Sequence, residues 1–306
     1  MIDTRSSRCD AGIVVYHPDP GILTALVQQI SPETGFIWLF QNAPIDEALK
    51  SDLREASTVG VEFLNDGTNF GLGVAYNAIA AAARDAGSDM LMLFDQDTSP
   101  VRGTISRLKH GYAELLCRGE SPALIGPLPV SADKQHLKPP RQFSNRSAPS
   151  GGTLWPTEFA ISSGSLISLP VFEKIGAFRE DFFIDAIDIE WCFRAWNRGF
   201  SCWIDSTTIM PHRLGQGTIR VPILGMLLAR QPPARFYTYV RNQIAMVREC
   251  SVPRYWRLRI IPYLLLQGVV YWIASGGQRH RVLRALCWGL VDGLTLRLGP
   301  GRRNQV

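Results

Sequence analysis

Two aspartates separated by one residue, Asp95-Gln96-Asp97, are the residues whose type and spacing point most directly to chemistry. They follow an apolar run at residues 90–94, which has no polar alternation and therefore predicts a strand covered on both faces of a parallel sheet. Ligand sites of such sheets lie beyond the carboxyl ends of the strands. Carboxylate oxygens there suit Mg²⁺ or Mn²⁺, which would hold a diphosphate. The alternative is an acidic turn in which Asp97 or Thr98 caps the next helix.

A second group of carboxylates lies in residues 182–194, with Asp185, Asp188 and Glu190. On a helix Asp185 and Asp188 would be neighbours, whereas Glu190 would point elsewhere. Asp188 opens the helical run, so it either caps that helix or projects into a cleft. His212 follows beside a proline. It is either a structural residue or a further ligand for Mg²⁺ or Mn²⁺.

Strands that alternate with helices are expected to position these groups. Apolar runs at residues 11–16, 36–40, 59–64 and 124–130 predict strands, residues 159–167 predict one interrupted by small residues, and residues 200–204 predict a last one. Helices are predicted at residues 21–30, 74–85 and 104–116. This order predicts an α/β fold with a mostly parallel sheet flanked by helices.

Two loops are open to a functional or a plain structural interpretation. The glycine-rich residues 65–73 precede a predicted helix, where a backbone can approach an anionic ligand closely, although such a segment is more often only a tight turn. The polar residues 131–152 form either a substrate lid or a surface excursion.

Composition limits the class of protein. The chain has 306 residues, of which 46% are hydrophobic and 19% charged, values typical of a folded globular protein. The first ten residues are polar and the first apolar run is too short for a signal peptide. The six cysteines are scattered without a C-x-x-C pair. We therefore expect reduced thiols in the cytoplasm and no zinc site.

Charge is distributed unevenly along the chain. The region from Arg230 onward has thirteen arginines, no lysine and two acidic residues, a net charge of +11, so the remainder carries −6. The apolar residues 260–275 would form a helix of about 24 Å, shorter than the roughly 30 Å hydrocarbon core of a bilayer. The pattern predicts a catalytic domain at residues 1–220 and a helical region at residues 221–306 that lies on an anionic membrane surface. The alternative is a helical subdomain packed on the body. Nucleic-acid binding is not expected, because long aliphatic runs separate the arginines.

Taken together, seven segments across residues 11–245 resemble the family 2 inverting glycosyltransferases of the GT-A fold, and more narrowly the bacterial rhamnosyltransferases. They are Val14-Val15-Tyr16-His17-Pro18, Asn69-Phe70-Gly71-Leu72-Gly73 with Asn77, Leu93-Phe94-Asp95-Gln96-Asp97-Thr98, Ser162-Ser163-Gly164-Ser165, Phe183-Ile184-Asp185 through Arg194, His212-Arg213-Leu214-Gly215, and Tyr239-Val240-Arg241-Asn242.

The resemblance implies a role for each carboxylate. Asp97 would coordinate the cation that bridges the diphosphate of the donor, and Asp95 would contact the nucleotide or the cation. His212 matches a metal ligand of some relatives. Asp188 matches the base that deprotonates the acceptor hydroxyl, with Asp185 as the reserve candidate.

The resemblance also implies a set of donor-binding residues, among which Trp191 would stack on a sugar ring. The set is Tyr16, His17, Asn42, Asn69, Gly71, Asn77, Asp95, Gln96, Ser163, Gly164, Trp191 and Arg241. The chain departs from the family where the second strand usually ends in Asp-Asn. Here it ends in Gln41-Asn42, which leaves Asn42 as the expected contact to the nucleotide.

The implied activity is metal-dependent, inverting transfer of L-rhamnose from dTDP-L-rhamnose to a saccharide or lipid-linked saccharide acceptor, in the synthesis of cell-surface polysaccharide. The implied location is the cytoplasm, peripheral on the inner membrane. Two alternatives stay open: another donor such as a UDP-hexose, or a protein of the same fold that binds a nucleotide sugar without turnover.

Overall fold

Strands and helices alternate through most of the chain, and three helices follow at its carboxyl-terminal end. The computed structural model describes residues 7–131, 152–212, 218–221, 226–302 and 305. The strands are β1 (Cys9–Val15), β2 (Ile37–Gln41), β3 (Val61–Leu64), β4 (Met90–Asp95), β5 (Pro122–Ser131), β6 (Leu154–Pro156), β7 (Leu166–Ser168), β8 (Ser201–His212), β9 (Thr218–Val221) and β10 (Met226–Ala229). The helices are α1 (Pro20–Ile30), α2 (Glu47–Ala56), α3 (Leu72–Asp85), α4 (Thr104–Cys117), α5 (Leu169–Ile175), α6 (Ile187–Asn197), α7 (Pro233–Met246), α8 (Arg254–Ala274) and α9 (Arg279–Leu294).

Eight of the described strands form one sheet in the order β3-β2-β1-β4-β7-β5-β8-β6. The first four are parallel, β7 is antiparallel to β4 and β5, β5 and β8 are parallel, and β6 is antiparallel to β8. Strands β9 and β10 pair separately as an antiparallel hairpin. The predicted α/β fold with a mostly parallel sheet is confirmed.

The strand order reverses between β1 and β4, because β2 and β3 lie on one side of β1 and β4 lies on the other. Open α/β sheets bind ligands in the crevice at such a switch point, outside the carboxyl ends of the strands. The residues that follow these two strands, Tyr16 and Gln96, therefore flank the expected crevice. The first carboxylate of the D-x-D triplet, Asp95, is the last residue of β4.

Strand β4 is buried on both faces, as its sequence predicts. Its residues 90–94 are at most 2% exposed. Leu91 and Leu93 face one hydrophobic cluster, whereas Met90, Met92 and Phe94 face another. The alternation of side chains along a strand thus sends neighbouring apolar residues into two separate cores. The D-x-D triplet emerges from the most deeply buried part of the sheet.

The helices near the carboxyl terminus share a hydrophobic core with the sheet. Phe236 of α7, Leu264 of α8 and Ala285 of α9 are fully buried in the same cluster as Phe182 and Trp191. The predicted domain boundary between residues 220 and 221 stays a prediction. Among the described residues, the structure contains no helix that is both long enough and apolar enough to cross a membrane.

Two predicted elements differ from the observed ones. Residues 159–167 were expected to form a strand, but only Leu166–Ser168 are in β7, because the small residues before them turn tightly around Gly164, which has a φ of 82°. Strand β8 is longer than predicted and includes Met210 and Pro211. Strand β6 pairs only with residues 203–205 of β8. Beyond these residues, within the described part of the chain, β8 has one edge without a partner strand. A proline at that edge removes no hydrogen bond between strands.

The contact between α9 and α7 gives a test of the shared core. A Cβ on Gly293 would lie 2.6 Å from the carbonyl oxygen of Arg241, whereas one on Gly277 would meet nothing within 4 Å. We expect Gly293→Ala to lower the free energy of unfolding by about 1–3 kcal/mol through overpacking. Gly277→Ala should change it by less than about 0.5 kcal/mol. Urea unfolding followed by circular dichroism measures both; equal stability of the two variants would show that α9 does not pack on α7.

Candidate functional site

The ends of β1 and β4 are tied together by Gln96. Its side-chain oxygen accepts a hydrogen bond from the backbone N–H of Tyr16 at 2.6 Å, and its side-chain nitrogen donates to the carbonyl of Tyr16 at 3.0 Å. The carboxamide of Gln96 therefore fixes the two sides of the crevice. The ring of Tyr16 is half exposed and lies edge-on to the ring of His17, with centroids 4.4 Å apart. These two rings are thus available to a ligand at the switch point.

The turn that carries the D-x-D carboxylates is fixed by a serine and a threonine. The backbone N–H of Asp95 donates to Oγ of Ser163 at 3.0 Å, and that oxygen lies 2.9 Å from Oγ1 of Thr98. Asp97, in contrast, is exposed, and its carboxylate makes no hydrogen bond or ion pair within the part of the chain that the structure describes. The capping alternative is wrong, because the N-cap of α4 is Gly103 and Glu33 accepts from the first backbone N–H groups of that helix.

Asp188 lies in the first turn of α6, with its carboxylate turned back toward the sheet. It accepts hydrogen bonds from the backbone N–H groups of Ile189 and Ser162. Burial raises the pKa of Asp188 to about 6, since desolvation outweighs those two hydrogen bonds, and the charge of Asp185 raises it further. Asp188 does not cap the helix, whose N-cap is Ala186. A carboxylate with this pKa is ionised at neutral pH and is still basic enough to accept a proton.

Asp185 forms an ion pair with Arg235 of α7, with Oδ1 and Nε 3.0 Å apart. Its carboxylate is 8% exposed, whereas the arginine side chain is 45% exposed and so reaches the solvent side of the site. Glu190 lies elsewhere, as predicted: it is buried and pairs with Arg194 one turn further along α6.

The negative charges of Asp95 in β4 and Asp188 in α6 raise the pKa of the same two side chains, Arg235 and Tyr76. The charge of Asp185 raises the pKa of Arg235 most, and the charges of Asp95 and Asp188 raise it further. Burial raises the pKa of the Tyr76 hydroxyl, and the charges of Asp95 and Asp188 add to the increase. That hydroxyl also lies 3.0 Å from Oγ of Ser162. Residues almost a hundred positions apart in the sequence therefore meet in one acidic cleft, with Arg235 at its edge.

The loop before α6 has a strained backbone. Phe183, Asp185 and Ala186 all have positive φ angles, of 63°, 67° and 63°. Such conformations cost of order 1–3 kcal/mol each for residues other than glycine, and they persist only where the surroundings hold them. Strain of this kind concentrates at functional sites, and here it lies on both sides of Asp185 and next to Asp188.

Two fully buried side chains of α7 hold the strained loop. The side-chain nitrogen of Asn242 donates to the carbonyls of Phe182, Ile184 and Asp185 at 2.8–2.9 Å. Arg241 donates to the same carbonyl of Phe182 at 3.0 Å. Arg241 was expected to contact the donor, but both it and Asn242 are 0% exposed and bind backbone instead. Their role is to position the carboxylates.

The glycine-rich loop is braced from β2 and docks on the strained loop. Asn42 accepts from the N–H of Phe70 at 3.1 Å and donates to the carbonyl of Gly71 at 3.3 Å. Asn69 accepts from the N–H of Gly71 at 3.0 Å. Gly71 has a φ of 87°, and a Cβ on it would lie 2.4 Å from the carbonyl oxygen of Phe183. Asn42 and Asn69 thus shape this loop with their side chains, and only a glycine fits where it meets the strained loop.

Three more predicted donor-binding residues have structural partners. The amide of Asn77 bonds with the backbone of Phe178 and with the carboxylate of Glu180. Trp191 is 0% exposed, donates to the carbonyl of Gly176 and packs on Phe172, so no sugar ring can stack on it in this structure. Gly164 is bonded to strand β4, because its N–H donates to the carbonyl of Leu93.

His212 is the last residue of β8 and pairs in register with Ser131 of β5. Since β4 and β8 run in the same direction, its backbone lies at the same edge of the sheet as Asp95. Its side chain lies outside the described residues, so its predicted role as a metal ligand stays a prediction. Within the described residues no three His, Cys, Asp or Glu side chains are grouped closely enough to hold a metal ion by themselves.

Sequence reasoning missed Arg235, Tyr76 and the supporting role of Asn242. Tyr76 lies in the predicted helix α3, which is rich in alanine, and nothing in the sequence marks its hydroxyl as functional. Arg235 follows two prolines that open α7, and proline in the first helical turn is a start signal that could have revealed this helix. Its contact with Asp185, fifty residues away, has no signal in a single sequence.

The chain is similar over its full length to a characterised transferase. It is 27% identical over 305 residues to the dTDP-rhamnosyl transferase RfbF of Shigella flexneri, an alignment that covers 98% of this chain and 99% of that protein. No protein-family model matches the chain.

Solved structures show the same fold at low identity. The S. aureus TarS 1-349 structure has a TM-score of 0.55 at 14% identity, covering 95% of this chain and 82% of that one. GalNAc-T7, solved with UDP, GalNAc and Mn²⁺, also has a TM-score of 0.55 at 14% identity, covering 79% of this chain. The chain spans less than half of GalNAc-T7 (47%) and of the longer TarS structure (43%). The predicted resemblance is confirmed: the chain is similar to a rhamnosyltransferase over almost its whole length, and it has the GT-A fold.

The raised pKa of Asp188 gives a prediction for stability. A carboxyl group whose pKa rises from 3.8 to about 6 on folding destabilises the folded state above that range, and this cost disappears as pH falls toward 3.8. We expect Asp188→Asn to raise the free energy of unfolding by about 1–3 kcal/mol near pH 8, with a smaller gain near pH 4.5.

Asp52→Asn, at an exposed position of α2, is the matched control and should change stability by less than about 0.5 kcal/mol at either pH. Urea unfolding at both pH values measures the two variants. A loss of stability in Asp188→Asn near pH 8 would contradict the burial of an ionised carboxylate.

Proposed function

We propose that this rhamnosyltransferase-like chain transfers L-rhamnose from dTDP-L-rhamnose to a hydroxyl group of a saccharide or lipid-linked saccharide acceptor. The observation that supports the proposal is the position of Asp95 and Asp188 against two neighbouring residues of one turn: the N–H of Asp95 donates to Oγ of Ser163 at 3.0 Å, and Asp188 accepts from the N–H of Ser162. Asp185, which precedes Asp188 by three residues, pairs with Arg235 at 3.0 Å. The full-length similarity to a dTDP-rhamnosyl transferase supports the choice of donor.

The D-x-D carboxylates fit a divalent cation. Asp95 is half-buried in a fixed turn, and Asp97 is exposed and has no partner among the described residues that would compete for it. Two hard carboxylate oxygens suit Mg²⁺ or Mn²⁺, and a diphosphate would complete the ligand set. A cation held there would stabilise the negative charge that develops on the leaving diphosphate. His212 stays the proposed further ligand.

Asp188 is the proposed base. Its carboxylate is fixed by the N–H groups of Ile189 and Ser162, so it can accept a proton without reorienting. The acceptor oxygen would then form a bond to the anomeric carbon while the bond from that carbon to the diphosphate oxygen breaks on the opposite face. One such displacement inverts the anomeric centre. Asp185 already forms an ion pair with Arg235, so Asp188 is the better placed of the two carboxylates to accept a proton.

The donor is tested by binding, which needs no acceptor. Isothermal titration of dTDP and UDP, with Mn²⁺ or with EDTA, should show dTDP binding that requires the cation. Asp97→Asn should weaken dTDP binding at least about tenfold, the factor that corresponds to roughly 1.4 kcal/mol. Asp52→Asn, a carboxylate on the surface of α2, should leave binding unchanged. Tight binding of UDP without dTDP binding would replace the proposed donor with a UDP-sugar.

The base is tested by the pH dependence of turnover, measured as dTDP release from dTDP-L-rhamnose with octyl glycosides as acceptors. We expect kcat/KM to fall below about pH 6, because Asp188 becomes protonated as pH drops through its raised pKa. Asp188→Asn should bind dTDP normally and lose turnover by about 10²–10⁴-fold. Arg235→Gln should move the acidic limb to higher pH, because a cation that favours the ionised carboxylate is removed.

Near-normal turnover of Asp188→Asn would assign the base to Asp185. Normal dTDP binding without release from any donor or acceptor would favour the alternative of a non-catalytic protein that binds nucleotide sugars.

A further inference from the structure

Helix α8 has two apolar faces, and the residues that the structure describes cover only one of them. On the inner face Ile260, Leu264 and Tyr271 are buried, and the ring of Tyr271 lies edge-on to Phe236 of α7 with centroids 4.9 Å apart. The outer face is formed by apolar side chains that are 37–79% exposed. They are Tyr255, Leu258, Ile261, Leu265, Val269, Trp272 and Ile273.

The exposed side chains form one continuous stripe. Their spacings of three and four residues bring them to the same side of a helix. The helix has 21 residues, so the stripe runs along about 30 Å. Leu258 is 79% exposed and Ile273 is 61% exposed, so both ends of the stripe reach solvent. A contiguous apolar surface of this length indicates an interaction site.

The charged side chains of α8 are all arginines, and the carboxylate bonded to the stripe, that of Glu158 on the hydroxyl of Tyr255, is buried. Arg254 and Arg259 are exposed at the start of α8, and Arg279, Arg281 and Arg284 are exposed just after its end. Between residues 250 and 306 the sequence has one acidic residue, Asp292. That carboxylate is 1% exposed and pairs with Arg302, so it offsets none of the positive charge near α8.

An exposed tryptophan at the carboxyl-terminal end of the stripe lies beside an arginine. The guanidinium of Arg279 lies 4.7 Å from the ring centroid of Trp272, which is 37% exposed. A ring with an apolar body beside a cation suits the boundary between hydrocarbon and headgroups. An apolar stripe with arginines at its ends thus matches an anionic lipid surface, which offers hydrocarbon and phosphate together.

We propose that the outer face of α8 lies in the headgroup region of an anionic phospholipid leaflet, parallel to the membrane plane. The inner face stays on α7, so the helix inserts only the outer stripe while the arginines contact lipid phosphates. A second copy of the chain fits less well, because pairing two such stripes would bring arginines against arginines.

The test is sedimentation of the full chain with vesicles of phosphatidylcholine alone and of phosphatidylcholine with phosphatidylglycerol. We expect binding to the anionic vesicles at low salt that weakens at high salt. Arg254→Gln, Arg259→Gln and Arg281→Gln combined should weaken binding by roughly a hundredfold, because each arginine near an anionic surface contributes about a five-fold factor. The matched control changes three exposed arginines on or beside α4, Arg102, Arg107 and Arg118, to Gln and should bind as the wild type does.

The apolar stripe is tested separately. Leu258→Ser with Val269→Ser should weaken vesicle binding at least about tenfold through loss of buried apolar surface. The control is Leu116→Ser with Ile209→Ser, two exposed apolar residues outside α8, and it should bind normally. All variants should bind dTDP as the wild type does, which shows that they are folded.

Three outcomes would overturn the proposal. The first is no binding of the folded wild-type chain to anionic vesicles at low salt, which would point to a protein partner. The second is equal binding to neutral and anionic vesicles. The third is a dimer in analytical ultracentrifugation that Leu258→Ser with Val269→Ser dissociates, which would make a second copy the occupant of the stripe.

Discussion

The hydrogen bonds from Asn242 to three backbone carbonyls of one loop are the interaction on which the site depends. They satisfy carbonyl groups of a loop in which three residues other than glycine have positive φ. Without this donor the carbonyls of Ile184 and Asp185 would each lose a hydrogen bond, a cost of about 1–3 kcal/mol each, whereas the carbonyl of Phe182 also accepts from Arg241. Asn242 therefore offsets both the strain and the desolvation. Because Asp185 and Asp188 lie in and just after this loop, the positions of both carboxylates follow from one carboxamide of α7.

The second constraint is electrostatic. Several carboxylates in one cleft repel each other, and burial adds to the cost of ionising Asp188. Arg235 reduces that cost from the edge of the cleft by pairing with Asp185 while acting on Asp95 and Asp188 at longer range. The arginine is nearly half exposed, so solvent and an incoming ligand both reach it. The cleft thus keeps a net negative charge, which suits the binding of a cation before a diphosphate.

The sequence was most informative where chemistry and local pattern coincide. The apolar run of β4 predicted both a fully buried strand and the position of the D-x-D triplet at its end, because a strand with two buried faces has no polar alternation. The same reasoning was least reliable for polar side chains. Asn42, Asn77 and Arg241 have the residue types of ligand-binding groups, but each bonds with the chain itself. A single sequence does not show which partner a polar side chain will find, since the backbone partners of these three residues lie 28 to 101 positions away.

A single sequence likewise does not show which contacts link the two parts into which the chain was predicted to divide at residue 220. Composition separates an acidic body from a basic, apolar tail, and that contrast is real in the sequence. The site, however, needs residues from both parts, because Arg235, Arg241 and Asn242 all belong to α7. That helix also packs on α8 and α9: the ring of Phe236 lies edge-on to Tyr271 of α8, and the carbonyl of Arg241 lies against Gly293 of α9. Helix α7 therefore connects the acidic cleft directly to the helix whose outer face is apolar and flanked by arginines. If α8 contacts lipid and Asp188 is the base, as proposed above, the membrane-binding helix and the loop that carries the base both pack on α7, so an acceptor anchored in a lipid leaflet would be held close to the base.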